Sequence, residues 1–141
     1  MSKKILVING PNLEMLGKRD KSTYGDFSLE SLEQLILEEA NTLGCQVEFF
    51  QSNIEGEIIN KINGLDDSFD GIIINAAAYT HTSIGIGDAI RSISSPVVEV
   101  HISNTYSREE FRHKSFLSAH VKGVILGFGL KSYDLAIESF C

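Results

Sequence analysis

Five short apolar runs recur along the chain: Ile5-Leu6-Val7-Ile8, Gln46 to Phe50, Ile72-Ile73-Ile74, Val97 to Ile102 and Val124-Ile125-Leu126. Between them lie stretches whose apolar residues repeat at helical spacing. This alternation constrains the fold more than any other feature. Each run has strand length, and Ile72-Ile73-Ile74 is β-branched throughout, as a strand covered on both faces requires. The first strand is expected over roughly 4–9. A helix is expected from Ser28, a good N-cap, to about Leu43, with Leu29, Leu32, Ile36, Ala40 and Leu43 on one stripe and Gly44 as its stop. Ile54, Ile58, Ile59 and Ile62 mark a short helix ended by Gly64. A third covers about 83–93, and Leu130, Tyr133, Ile137 and Phe140 mark the last. Ser107 and Glu110 have capping-box spacing for one more short helix.

Strands alternating with helices imply an α/β fold, an open parallel sheet with helices on both faces. Right-handed crossovers make 2-1-3-4-5 the common order for five strands. The length suits one domain spanning residues 1–141, with no repeat or linker. A net charge of −7 argues against general nucleic-acid binding, which favours basic faces. No apolar run is long enough to span a membrane. The start, Met1-Ser2-Lys3-Lys4 and a short apolar segment, reads as a strand and not a signal peptide. Cys45 and Cys141 form no metal or redox motif and are read as free thiols in a reducing cytoplasm.

The strand order says where a site belongs. Ligands of open α/β sheets bind beyond the carboxyl ends of the strands, where the winding reverses. Here that places Asn9 to Asn12, Asn75, His101 and Ser103 around one crevice. The connection from Asn9 to Tyr24-Gly25 is long for a strand-to-helix loop, and such loops are usually functional. It carries Arg19 and Tyr24, and a tyrosine near a cation is one of few routes to a phenolate base near neutral pH. His101 ends the fourth strand. Glu99 shares its face and can orient the imidazole and stabilise its protonated form. On pattern alone, His101 divides evenly between a site role and a structural one.

Other motifs carry less. Gly127-Phe128-Gly129 follows a strand but lacks the third glycine and the later acidic residue of a dinucleotide loop, so a turn is expected. The four histidines have neither HExxH context nor ligands at metal spacing. Asn75 and Asn9 stand where a phosphoacceptor domain of the same strand order would need acidic residues. The loop after strand one lacks the small and hydroxyl residues of a flavin-phosphate cradle.

Several stretches together resemble one family, the type II 3-dehydroquinate dehydratases (type II dehydroquinases). They are Asn9-Gly10-Pro11-Asn12-Leu13 with Leu16 to Arg19 and Tyr24-Gly25, Gln51-Ser52-Asn53 with Glu55-Gly56, Ile74-Asn75 with Ala78 to Ser83, Pro96 to Asn104, and Arg108 to His113. The resemblance implies a flavodoxin-like three-layer sandwich and dehydration of 3-dehydroquinate to 3-dehydroshikimate, with no metal and no cofactor. It implies that Tyr24 removes a proton from C2, that Arg19 lowers the Tyr24 pKa and closes the site, and that His101 protonates the departing C1 hydroxyl. Asn12 would hold a water at the enolate, and Asn75 would position the histidine and bind substrate. Ser103 and the backbone at Ile102 would receive the carboxylate. His81 and Arg112 would contact ring hydroxyls, with Glu99 supporting His101. Asp88 would reach a neighbouring subunit's site, in trimers assembled into dodecamers.

The chemistry is consistent with these residue types. A free tyrosine is about 0.1% ionised at neutral pH, and one nearby arginine can move a group by about one to three pH units. Histidine is well matched to deliver a proton near pH 7. Four departures from the family pattern stand out. Glu14 replaces a common asparagine and Ile54 a common histidine. Ala76-Ala77 replaces Pro-Gly, which predicts an altered turn presenting Asn75 and His81. Gly87 replaces a frequent arginine, which predicts weaker subunit contacts.

Overall fold

The structure, a computed structural model, describes residues 2–18, 21–24 and 26–141, excluding the side chains of Lys21 and Tyr24. Five strands, β1 (Lys4–Asn9), β2 (Gln46–Gln51), β3 (Gly71–Asn75), β4 (Val97–His101) and β5 (Gly123–Leu126), form one parallel sheet in the order β2-β1-β3-β4-β5. The helices are α1 (Lys21–Tyr24), α2 (Leu29–Leu43), α3 (Glu55–Asn63), α4 (Ile84–Ser92) and α5 (Lys131–Phe140). The strands lie within a residue or so of where the apolar runs place them, and the strand order is the expected one.

Alternation along the strands builds two cores. Ile5, Val7, Ile73, Val98 and Val100 face Leu32 and Ile36 of α2 and Tyr133 and Ile137 of α5. Leu6, Ile8, Ile72, Ile74 and Val97 face Ile58 and Ile62 of α3 and Ile86 and Ile90 of α4. Every residue of β3 is buried, as a central strand's must be. Ser28 caps α2 in a reciprocal pair: its hydroxyl accepts from the Ser31 N–H at 3.1 Å, while the Ser28 N–H donates to Ser31 Oγ at 3.0 Å. Ser83 caps α4 by accepting from the Ile86 N–H at 2.9 Å. Among the described residues, no helix is long and apolar enough to cross a membrane.

Two expectations are corrected. Cys45 and Cys141 are not free thiols but are joined in a disulfide. The cause is topological: α5 packs on α2, so the last residue meets the one leading into β2 with Cα atoms 6.7 Å apart, across 96 residues of sequence. The Ser107–Glu110 capping box does not form either. That stretch holds two single 3₁₀ turns, Thr105–Ser107 and Glu110–Arg112, and Asn104 caps the first by accepting from the Tyr106 N–H at 3.2 Å. The Ser107 hydroxyl instead donates to the Asn104 carbonyl at 2.7 Å.

Candidate active site

Register sets the floor of the site. β1 pairs with β3 so that Asn9 and Asn75 lie side by side at the carboxyl edge, where the winding reverses. Tyr133 of α5, fully buried, ties them together. Its hydroxyl donates to Asn9 Oδ1 at 2.7 Å and accepts from Asn75 Nδ2 at 2.9 Å. Burial pushes the phenol's pKa well above the ordinary tyrosine value, against a smaller opposing effect of the Asn75 hydrogen bond, so it stays a neutral strut. Asn75 Oδ1 accepts from the Ala77 N–H at 3.1 Å, which starts the turn leading to His81. The carboxamide of Asn75 is thus held by Tyr133 and Ala77, and these are the partners that fix it beside the pocket.

The Ala76-Ala77 pair makes this turn at a cost. Ala77 has φ 51°, a left-handed conformation that glycine adopts freely and alanine does not. Beside it, Gly10 donates its N–H to the Asn75 carbonyl at 2.8 Å, and a Cβ on Gly10 would overlap the Ala76 backbone. The turn and the loop after β1 are therefore in backbone contact. Asn12, at φ 69°, donates its N–H to Asn53 Oδ1 at 2.8 Å. Glu14 accepts from Gln51 Nε2 at 2.7 Å, which gives that departure a local structural partner. A Cβ at Gly87 would overlap the Phe116 carbonyl oxygen, so the residue that replaces the frequent arginine lets the 115–120 segment close onto α4.

β4 supplies the reactive edge. Val98 and Val100 face the α2/α5 core, so Glu99 and His101 point to the other face. Glu99 is 1% exposed, and a buried carboxylate must be paired. His101 Nε2 donates to Glu99 Oε2 at 2.5 Å, leaving Nδ1 as the second ring nitrogen. Burial alone would raise the Glu99 pKa. Hydrogen bonds from His101, Ser118 and Ser115 outweigh it and hold the carboxyl below its ordinary value. His81 stacks near His101, ring centroids 6.4 Å apart and planes 20° apart. Its Nδ1–H donates to the Lys114 carbonyl at 2.7 Å. Burial, opposed by that carbonyl, lowers the His81 pKa, which keeps the ring neutral with Nε2 as an acceptor.

These groups enclose a pocket of about 230 Å³ lined by Asn12, Asn75, His81, His101, Ile102, Ser103 and Arg112, with Pro11, Leu13, Leu16 and Thr105. Arg108 also lines it, with Nη1 3.4 Å from Ser103 Oγ. Arg112 Nε donates to Glu109 Oε2 at 3.3 Å. The pocket is therefore cationic at one wall and carries a carboxylate-bound imidazole at its floor. Arg108 is the charged pocket residue to which the sequence assigns no role, although it sits four positions before Arg112 in the same motif. No lysine among the described residues lines the pocket. Gly127 and Gly129 donate their N–H groups to the carbonyls of His101 and Ile102, at 3.3 and 3.0 Å. That loop braces the end of β4 and is the turn expected of it.

Seven of the expected site residues meet in this pocket, with Glu99 behind them. Asp88 does not line it. It is exposed on α4, with Arg91 Nη2 3.5 Å from its Oδ1. Arg19 and the side chain of Tyr24 lie outside the described residues. Ser22 and Thr23, from the same turn as Tyr24, line an adjoining cleft with Ser103 and Arg108.

Fold and site define a class: a flavodoxin-like α/β protein whose strand-end pocket combines a carboxylate-bound histidine with two arginines. The family described as dehydroquinase class II matches residues 3–141. The chain is 56% identical over 134 residues to the 3-dehydroquinate dehydratase of Prochlorococcus marinus (strain NATL1A), covering 95% of this chain and 92% of that one. It is 54% identical over 136 residues to the 3-dehydroquinate dehydratase of Caldicellulosiruptor bescii, covering 96% and 94%. The crystal structure of type II dehydroquinase from Butyrivibrio crossotus superposes with a TM-score of 0.96 at 48% identity, covering 99% of this chain and 97% of that one. The chain belongs to the class II dehydroquinase family.

Proposed function

We propose that this protein dehydrates 3-dehydroquinate to 3-dehydroshikimate through an enolate, in one catalytic domain over residues 1–141. Tyr24, as phenolate, takes a proton from C2, and the C–H electrons form the enolate with the C3 ketone. The enolate then collapses to a C1–C2 double bond and expels the C1 hydroxyl, to which His101 gives a proton, so that water leaves. Arg19 lowers the Tyr24 pKa across the loop they share, and Asn12 holds a water against the enolate oxygen. Ser103 and the Ile102 backbone receive the substrate carboxylate beside Arg108. Asn75, His81 and Arg112 hold the ring.

The observation that carries this reading is the Glu99–His101 pair at the floor of a pocket walled by arginines, in a chain of this family. A histidine held by a buried carboxylate suits a general acid, and guanidinium groups suit an anionic substrate. The reading also includes assembly as trimers within a dodecamer, with Asp88 reaching a neighbour's site, and a cytoplasmic place in the shikimate pathway of aromatic amino acid biosynthesis. The test is Tyr24→Phe beside His101→Ala. Both should lose turnover by orders of magnitude while equilibrium binding of substrate stays within a few fold. Retained turnover in either variant rejects the role given to that residue.

A further inference from the structure

The 115–118 segment closes over Glu99, beside a second cavity that shares His81, His101 and Arg112 with the main pocket. Ser115 Oγ lies 3.2 and 3.1 Å from Glu99 Oε1 and Oε2, and Ser118 Oγ lies 2.8 Å from Oε1. The Ser115 oxygen already accepts the N–H groups of Leu117 and Ser118, each at 3.0 Å. Its single proton therefore points at the carboxylate. The Ser118 hydroxyl donates to the same group. Glu99 thus receives two hydroxyl protons, that of Ser115 aimed by the backbone N–H groups its oxygen accepts, and an ionised carboxylate only accepts. The remaining partner, His101 Nε2, must then be the donor.

We propose that Ser115 and Ser118 are positioning residues for the dehydration: they hold Glu99 as an oriented carboxylate, which keeps one proton on His101 Nε2 and presents Nδ1 to the pocket, so that the doubly protonated ring gives its Nδ1 proton to the departing hydroxyl and is left as the Nε2–H tautomer. This rests on the assignment of His101 as the acid. Both serines act through Glu99, and neither lines the main pocket. The depressed pKa of Glu99, to which both serines contribute against burial, agrees with the geometry. The other charged or titratable groups around His101 are His81, Arg108 and Arg112 at the main pocket, and Tyr106 and His113 at a second cavity that Glu99, Ser115 and Ser118 also line. Were the serines to serve only to satisfy a buried charge, their loss would change stability without changing which ring nitrogen carries the proton.

Ser118→Ala is the clean probe, because Ser115→Ala would also strand the two backbone N–H groups that Ser115 accepts. In the folded Ser118→Ala protein, kcat should fall by about tenfold to a hundredfold, with KM within about threefold. At a pH where the ring is neutral, imidazole ¹⁵N NMR of the substrate-free protein should show His101 changing from a single Nε2–H tautomer to a mixture. Ser118→Thr, which keeps the hydroxyl, should restore both readings. A normal kcat overturns the proposal, as does a reduced kcat with the tautomer unchanged or a threonine variant that restores neither. The NMR reading needs no substrate. If the wild-type protein fails to dehydrate 3-dehydroquinate, the function falls while the serine–carboxylate–imidazole linkage is still decided.

Discussion

Replacing Tyr133 by phenylalanine removes one oxygen atom and leaves the ring that packs α5 on the sheet. That oxygen links Asn9 Oδ1 and Asn75 Nδ2, both in buried residues. Neither has another protein partner within reach to replace it, and each stranded buried polar group costs about 1–3 kcal/mol. The low end of the summed range of about 2–6 kcal/mol applies, because Asn75 lines the pocket, where water can reach its freed amide. The expected loss is therefore about 2–3 kcal/mol, a large part of the stability of an ordinary domain. With a urea m-value of about 2 kcal/mol/M, the midpoint should fall by about 1–1.5 M, and Tm by roughly 8 °C. Urea unfolding of both proteins at one protein concentration, with the disulfide intact, measures this. KM should rise several fold, because Asn75 loses the partner that aims it. A midpoint lowered by less than about 0.3 M, or about 0.6 kcal/mol, would rule out this role for the Tyr133 hydroxyl, since it falls below the cost of even one stranded buried group.

Ala77→Gly should stabilise the fold by a few tenths to about 1 kcal/mol, the left-handed cost of alanine less the extra chain entropy of glycine, while Ala77→Val should destabilise it; urea midpoints of the pair decide this. Reducing the Cys45–Cys141 disulfide should cost about 2–4 kcal/mol and lower Tm by roughly 10 °C without changing turnover, because neither cysteine lines the pocket; thermal scans and rates with and without reductant test it. The lowered pKa of His81 fixes a sign: below the ordinary value of 6.5 the unfolded chain takes up a proton that the folded ring resists, so stability falls as pH drops through that window. Stability curves from pH 7.5 to 5 should show a shallower acid loss in His81→Asn, and an unchanged slope would contradict this account of the ring.

Most of the sheet is legible in the sequence because its signal is local. Ile72-Ile73-Ile74 is a buried strand by composition, and strand parity alone puts Glu99 and His101 on one face. Ser28, Gly44 and Ser83 are helix boundaries for reasons contained within a few residues. What is not legible depends on distant parts of the chain meeting. Nothing near Cys45 or Cys141 announces their pairing, which follows only once α2 and α5 share a face. Tyr133 reads as one more apolar position on a helical stripe, yet its hydroxyl reaches Asn9 across 124 residues of sequence. Ser115 and Ser118 lie in an irregular segment with no periodicity, and their role exists only because that segment folds over a charge on β4. The Ser107–Glu110 spacing fits a capping box, but Asn104 captures the turn first with its own side chain.

The most direct measurement is to add 3-dehydroquinate to the purified protein, with a metal chelator present and after borohydride treatment, and to follow the ultraviolet absorbance of the conjugated product. A rapid rise unaffected by either treatment is expected, because the proposed reaction uses neither a metal nor a lysine imine, and no rise is expected from Tyr24→Phe under the same conditions. A folded wild-type protein that gives no rise, or one that borohydride silences, would contradict the proposed reaction.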